Sequence, residues 1–220
     1  MTASEPMVVF DAGGVLVRIC RTWDEGARRA GIEAPGDVMA PGARARRREL
    51  SHLYQSGRLH EEDYFARMAE AIGNGCAADI IARVHDAWLI EEYPGARALV
   101  DDLAAAGVGT ALLSNTNARH WRAMCPQGGA GGGGEGLCPA IARLGRWFLS
   151  HELGACKPEE AIYAAVEREA GALPEAIIFF DDLEENVAAA RGRGWQGLLV
   201  DHSGDPPGEM RRRLGELGVL

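Results

Sequence analysis

Short apolar runs, each ending in polar residues, recur along this 220-residue chain and constrain its fold more than any other feature. Near-continuous apolar character is typical of strands that are buried on both faces of a parallel sheet. The sequence predicts four such strands, at Met7–Asp11, Val108–Ser114, Trp147–Ser150 and Ala176–Asp182. A weaker apolar run at 197–201 predicts a fifth.

Helical patterns separate these strands, at 94–107, 157–171 and 183–194. Each pattern ends in a glycine, which suits the C-terminus of a helix. Strands that alternate with helices are typical of a doubly wound sheet. The sequence therefore predicts an α/β fold with a Rossmann-like, doubly wound parallel sheet.

The segment between the first and second strands is far longer than a single crossover helix needs. From about residue 18 to residue 92 it shows helical periodicity with glycine breaks and no convincing strand. We therefore expect residues 18–92 to form a small helical cap domain, inserted into an α/β core made of residues 1–17 and 93–220.

The charge balance restricts the partners of the chain. A formal net charge of −9 repels the phosphate backbone of nucleic acids, and no long basic stripe reverses this locally. The N-terminus lacks a signal-peptide pattern, and no apolar run is long enough to span a bilayer. We expect a cytoplasmic protein that binds neither nucleic acid nor membrane; the sequence gives no indication of its oligomeric state.

Cysteines and glycines add two further expectations. The five cysteines include no CxxC pair, which favours reduced thiols over a disulfide framework or a zinc site. The glycine-rich segment 126–139 predicts a mobile loop, because glycine loses the most entropy when it is ordered. A phosphate cradle is disfavoured there, since no strand leads into the segment and no Lys-Ser/Thr pair follows it.

Polar residues at the strand ends are the candidate functional residues, because sites in open α/β sheets lie beyond the carboxyl ends of the strands. Crowded carboxylates repel one another unless a cation neutralises them, and all-oxygen ligation favours Mg²⁺. A lysine and a hydroxyl in the same crevice would hold phosphate oxygens. The residues concerned are Asp11, Ser114, Asn115, Lys157, Asp181 and Asp182.

Four motifs occur in a characteristic order: "VVFDAGGVLV" with Asp11, "ALLSNTN" with Ser114 and Asn115, "CKP" with Lys157, and "IIFFDDLEENVAAARGRG" with Asp181 and Asp182. Together they resemble the haloacid dehalogenase superfamily of phosphatases over nearly the whole chain, and the helical insertion matches the cap of that family. The stretches "SHELGACKPEEAIY" and "FFDDLEENV" further resemble the branch that includes α-D-glucose-1-phosphate phosphatases.

The resemblance implies a hydrolase that acts on a phosphate monoester of a small metabolite, with a sugar phosphate as one candidate. In such an enzyme Asp11 attacks phosphorus, an aspartyl-phosphate forms and water hydrolyses it. Mg²⁺ would contact the Asp11 carboxylate, the Gly13 carbonyl and Asp182, with Asp181 beside it. Phosphate would be bound by Ser114, Asn115 and Lys157, the last of which also neutralises the transferred group.

Gly13 departs from the family pattern, since most family phosphatases carry a second aspartate two residues after the nucleophile. General acid–base catalysis is worth roughly 10²–10⁴-fold in rate. Two explanations of how the enzyme would work without this acid stay open. The leaving group could be acidic, such as a hemiacetal oxygen, and the glucose-1-phosphate branch also has glycine at this position. Alternatively, His60, Tyr64 or ordered water could supply the proton.

Two alternative functions remain at this stage. A regulatory protein that binds Mg²⁺ and phosphate without turnover would also tolerate Gly13. A 2-haloacid dehalogenase is less favoured, because Asp181 and Asp182 would repel a carboxylate substrate.

Two further features allow two interpretations each. Asn186 stands where many relatives have an acid, and would either orient the metal ligands or cap its own helix. The basic run 44–50, "RARRREL", is typical of a solvated helix face, with attraction of anionic substrates as the alternative.

Overall fold

A five-stranded parallel sheet forms the core of the computed structural model, which describes residues 5–33, 41–73, 75–125 and 136–220. The strand order is β5-β4-β1-β6-β7, and β2 and β3 form a separate antiparallel ribbon. The strands are β1 (Met7–Phe10), β2 (Val17–Ile19), β3 (Leu89–Glu92), β4 (Gly109–Ser114), β5 (Arg146–Leu149), β6 (Ile177–Asp181) and β7 (Gln196–Leu199). The predicted parallel α/β sheet is confirmed.

Helices cover both faces of the sheet and make up most of the inserted segment. They are α1 (Trp23–Arg29), α2 (Pro41–Gln55), α3 (Glu61–Ile72), α4 (Ala78–Asp86), α5 (Ala96–Ala105), α6 (Ala118–Met124), α7 (Pro139–Ala142), α8 (Ser150–Leu153), α9 (Glu160–Ala170), α10 (Glu184–Gly192) and α11 (Pro206–Glu216). The three helices expected between the core strands, at 94–107, 157–171 and 183–194, correspond to α5, α9 and α10.

The sheet is buried on both faces because alternate residues of its central strand face different apolar clusters. Val8 and Phe10 of β1 belong to one cluster, whereas Met7 and Val9 belong to the cluster on the opposite face. This explains why β1 appears in the sequence as an unbroken apolar run. Pairing of β1 with β4 and β6 brings the carboxyl ends of all three strands to one edge.

The inserted segment has an apolar cluster of its own, made by residues between Leu50 and Ile81. This separate cluster supports the proposed division into cap and core. The expectation of no strand in the segment is wrong, because Arg18 and Ile19 of β2 pair with β3. These strands are too short to show an alternating pattern, and their partners lie far apart, as Arg18 and Glu91 do at 73 residues of separation.

The mobile loop predicted at 126–139 falls mostly on residues 126–135, which lie outside the described residues. Directly after them, the backbone N–H groups of Leu137 and Cys138 donate to the carbonyls of Ala123 and Met124, at 3.0 and 3.2 Å. The five cysteines are free thiols. No helix in the described part of the chain has the length and apolar character needed to cross a bilayer.

Candidate active site

Three carboxylates meet at the carboxyl edge of the sheet. Asp11 follows β1, Asp181 ends β6, and Asp182 is the next residue. One carboxylate oxygen from each lies within 4.8 Å of the others. The meeting follows from the topology, because β1 and β6 are neighbours and the Asp11 N–H donates to the Phe180 carbonyl at 2.9 Å.

The buried side chain of Lys157 forms ion pairs with two of these acids. Its Nζ lies 2.8 Å from Asp11 Oδ1 and 2.7 Å from Asp181 Oδ2, and the side chain is almost fully buried. Burial alone would lower the pKa of Lys157, but the two carboxylates outweigh it and raise that pKa, so the lysine stays charged.

Asp11 carries the clearest electrostatic perturbation of the three acids. Burial, with help from the charges of Asp181 and Asp182, raises its pKa to about 7 against the opposing effect of Lys157. The raised pKa means that the ammonium group of Lys157 does not offset the burial of Asp11 together with the negative charges of the two neighbouring acids. A further cation beside the carboxylates would restore the balance.

Asp181 has little hydrogen-bonding capacity left for a metal. Its Oδ1 accepts hydrogen bonds from the Leu183 N–H at 2.9 Å and from Asn186 Nδ2 at 3.0 Å, and its Oδ2 accepts from Lys157. The side chain of Asn186 therefore orients this carboxylate. A position beside the metal, not on it, suits Asp181.

Asp182 is held differently, by an arginine that the sequence did not indicate. Its Oδ2 lies 2.6 Å from Arg21 Nη1, although the two residues are 161 positions apart. Gly14 makes the approach possible, because its φ is +84° and a Cβ there would clash with Asp182 Oδ2. Only glycine fits between this carboxylate and the turn.

The donor set fits Mg²⁺, which prefers oxygen ligands and accepts one or two carboxylates. Asp11 and Asp182 supply carboxylate oxygens at one place. The Gly13 carbonyl accepts neither hydrogen bond of the bridge between Gly13 and Val17. In that bridge the Gly14 N–H donates to the Val17 carbonyl, and the Val17 N–H donates to the Ala12 carbonyl. These three groups are those expected to hold the ion.

Ser114 and Asn115 lie at the end of the neighbouring strand β4. Asn115 exchanges two hydrogen bonds with the backbone of Lys157: its Nδ2 donates to the carbonyl at 2.9 Å, and its Oδ1 accepts from the N–H at 2.8 Å. Asn115 therefore fixes the position of Lys157, with one N–H of its amide left over. Ser114 is buried.

The side chain of Ile19 occupies the space next to Gly13, where most family phosphatases carry a second aspartate. A Cβ on Gly13 would lie 2.8 Å from Ile19 Cδ1, a contact that real side chains do not make. Of the two proposed proton donors, His60 is exposed at the start of α3, whereas Tyr64 is buried and its hydroxyl lies 3.5 Å from Ser51 Oγ.

One cavity extends from this site into the inserted segment, and a second cavity adjoins it there. The larger, which we call the cap cavity, has a volume of about 400 Å³ and reaches from Asn115 and Lys157 to one face of α2. The smaller has about 150 Å³ and is lined by Tyr64 and by a histidine pair, buried His85 and half-buried His120, whose rings stack at 3.8 Å between centroids. Sequence patterns gave no indication of this histidine pair.

Comparisons with known proteins identify the family of this chain. Residues 6–194 match the family of haloacid dehalogenase-like hydrolases. The chain is 26% identical to the phosphatase MT3486 of Mycobacterium tuberculosis over 160 residues, which are 72% of this chain and 69% of that one.

Solved structures match nearly the full length. A predicted HAD-like family hydrolase from Porphyromonas gingivalis is 27% identical, with a TM-score of 0.74 and coverage of 96% of this chain and 98% of that one. The HAD family enzyme bt-2542 from Bacteroides thetaiotaomicron is 20% identical, with a TM-score of 0.76 and coverage of 94% and 99%. Its wild-type complex with magnesium and inorganic phosphate matches with a TM-score of 0.69 at 21% identity, covering 91% and 96%. This chain belongs to the haloacid dehalogenase-like hydrolases.

Proposed function

We propose that this protein is a Mg²⁺-dependent phosphatase that hydrolyses a phosphate monoester of a small metabolite through an aspartyl-phosphate at Asp11. The observation that carries the proposal is the contact of Asp11 with buried Lys157, beside oxygen ligands for a divalent cation. The named phosphatase relative and the Bacteroides enzyme crystallised with magnesium and phosphate support it.

The reaction needs a fixed nucleophile and neutralised charge. A carboxylate oxygen of Asp11 attacks phosphorus, the bond from phosphorus to the leaving oxygen breaks, and water then attacks the same phosphorus to free phosphate and Asp11. Phosphoryl transfer depends mainly on positioning and on charge stabilisation. Lys157 supplies a fixed positive charge, and Asn115 fixes its position by two hydrogen bonds. Bound Mg²⁺ would supply the remaining positive charge and favour the ionised form of Asp11.

Phosphate oxygens have further donors at the end of β4. We assign them the hydroxyl of Ser114 and the remaining amide N–H of Asn115, together with Lys157. Ser114 is buried next to the site, so its hydroxyl meets little competing water. Hydrogen bonds to an ionised acceptor are stronger than neutral ones, which suits this pair of donors to a phosphate group.

Gly13 directs the choice of substrate within this class. With Ile19 in the space of an acid, no side chain at position 13 protonates the leaving oxygen. A leaving group of low basicity needs the least protonation, which favours esters such as sugar 1-phosphates. Tyr64 is the better placed of the two proposed donors, since it lines the cavity next to the cap cavity.

A panel of phosphate esters tests the function. Phosphate release is measured with Mg²⁺ and with EDTA for the native protein, for Asp11→Asn, and for Asp63→Asn as a control at an exposed carboxylate. Turnover that requires Mg²⁺, disappears in Asp11→Asn and persists in Asp63→Asn is the expected result. Within the panel, rates should rise steeply from alkyl phosphates to sugar 1-phosphates and p-nitrophenyl phosphate.

The same panel addresses the non-catalytic alternative, which one observation favours: Ile19 fills the position of the usual acid. A regulatory protein of this kind would bind inorganic phosphate with Mg²⁺ in a calorimetric titration and release none from any ester. That combination would refute the catalytic proposal.

A further inference from the structure

The cap cavity has an unusual electrostatic lining. Its positive charge comes from three arginines of α2, Arg44, Arg47 and Arg48, because Lys157 at its inner end is already paired with Asp11 and Asp181. No lining residue within the described ranges is an aspartate or glutamate. The chain as a whole carries a net charge of −9. A concentration of positive charge in one concave site of an acidic protein attracts anions.

The basic run of α2 divides into two faces. Residues three and four positions apart lie on the same side of a helix, which places Arg44, Arg47, Arg48 and Ser51 toward the cavity. Arg46 does not line the cavity, and its guanidinium is paired with Glu49 at 2.7 Å. Only part of the run is therefore a solvated face.

Arg47 is the residue that points to a ligand. It is only 6% exposed, and its Nε and Nη1 are buried without a hydrogen-bond partner in the described part of the chain. The guanidinium lies over the ring of Trp23, with Cζ 5.3 Å from the centroid, which fixes its position. The nearby charge of Asp24 favours the protonated form, but no hydrogen bond joins it to Arg47 in the described part of the chain. Buried N–H groups of a charged side chain are costly without an acceptor, and arginine stays protonated, so the arrangement favours binding of an anion.

We propose that the arginine face of α2, with Arg47 at its centre, binds a second anionic group of the substrate. The substrate class is then a phosphate monoester that carries a carboxylate or a second phosphate at its other end. This inference rests on the proposed function, since the same cavity leads to Lys157 and Asn115, where the reacting phosphate would bind. A volume of about 400 Å³ suits a small metabolite.

Matched pairs of esters test the inference. One pair is 3-phosphoglycerate and glycerol 3-phosphate, which differ by a carboxylate; the other is glucose 1,6-bisphosphate and glucose 1-phosphate, which differ by a phosphate. We expect the native protein to prefer the doubly anionic member of at least one pair in kcat/KM, and the two pairs distinguish the two anions. Arg47→Met, which keeps an apolar stem against Trp23, should reduce the preference by about 10- to 100-fold, the range for loss of a charged hydrogen bond.

Arg46→Met is the matched control, because it removes the same charge from the same helix outside the cavity and should keep the preference. Arg47→Met should also raise the midpoint of thermal unfolding without ligand, since it removes buried charged N–H groups that lack an acceptor. Equal preference in the native protein and in Arg47→Met, or equal loss in both variants, would overturn the inference.

Calorimetric titration with the same four compounds separates this inference from the proposed function. If no ester is hydrolysed but binding still prefers a doubly anionic compound in an Arg47-dependent way, the anion site stands and the phosphatase proposal fails. If turnover occurs and the preference does not depend on Arg47, the phosphatase proposal stands and the anion site fails. Absence of binding by all four compounds would overturn the anion site as well.

Discussion

A side chain introduced at position 13 should destabilise the protein, because it would clash with the terminal methyl group of Ile19. A Cβ added to Gly13 would lie 2.8 Å from Ile19 Cδ1, but 3.5 Å from Cγ2 and 3.6 Å from Cγ1, which are ordinary contacts. Gly13→Ala should therefore lower the free energy of unfolding by about 1 kcal/mol, the lower end of the usual cost of overpacking, because the clashing Cδ1 is the flexible end of the Ile19 side chain. Ile19→Val removes only the clashing Cδ1 and by itself should cost about 0.5–1.5 kcal/mol.

The two substitutions should rescue one another, because the methyl group added at position 13 takes the space that Cδ1 vacates. A double-mutant cycle by urea unfolding, followed by circular dichroism, should give a favourable coupling energy of about 1 kcal/mol between the two sites. Effects that add to within about 0.5 kcal/mol would refute the claim that Ile19 occupies the place of the acid. If the coupling is found, Gly13→Asp combined with Ile19→Val becomes the rational variant for restoring an acid, and its rate on alkyl phosphates should exceed that of the native protein.

Three further predictions concern charge and pH. Lys157→Met leaves the buried carboxylates of Asp11 and Asp181 without their cation, so it should lower the free energy of unfolding in EDTA by about 3–5 kcal/mol. Urea unfolding measures this loss, and a value below about 1 kcal/mol would contradict the stabilising role of Lys157. Burial lowers the pKa of His85, so below pH 6.5 the unfolded chain binds a proton that the folded chain does not. The native protein should therefore lose up to about 1.4 kcal/mol more stability than His85→Gln between pH 7.5 and pH 5.5, and equal losses would be inconsistent with a neutral buried ring. Arg21→Gln removes a cation that competes for Asp182 and should tighten Mg²⁺ binding by about 2- to 5-fold in a calorimetric titration, whereas weaker binding would show that Arg21 assists the site.

Local pattern predicted the core sheet because its strands are buried on both faces, so that every residue of β1 and β6 is apolar until the terminal acid. The ribbon of β2 and β3 escaped prediction for the opposite reason. Strands of three and four residues, with glutamate and arginine on an exposed side, carry no periodic signal, and their pairing depends on contacts between distant parts of the chain.

The candidate site divides in the same way. Asp11 and Asp181 were predictable because strand ends in a parallel sheet converge, whatever the details of packing. Lys157 lies in the loop between α8 and α9, and its motif just before a helix indicated it. Arg21 and Ile19 reach the site through the ribbon, so their roles depended on an element that local pattern does not show.

Arg47 posed a different difficulty. It lies in a basic run that the sequence does show, but sequence alone does not distinguish the one buried guanidinium from its exposed neighbours. That distinction requires the rotation of α2 relative to Trp23 and the cap cavity.

The most direct test of the account is the identification of the phosphorylated residue during turnover. The native protein is mixed with p-nitrophenyl phosphate and Mg²⁺, quenched in acid within the first turnover, digested with pepsin and examined by mass spectrometry. We expect the peptide containing Asp11 to gain the mass of one phosphoryl group. Sodium borohydride should convert this aspartate to homoserine, and EDTA should prevent both changes. Metal-dependent turnover with the phosphoryl group on another residue, or with no phosphorylated peptide at all in the first turnover, would contradict this expectation.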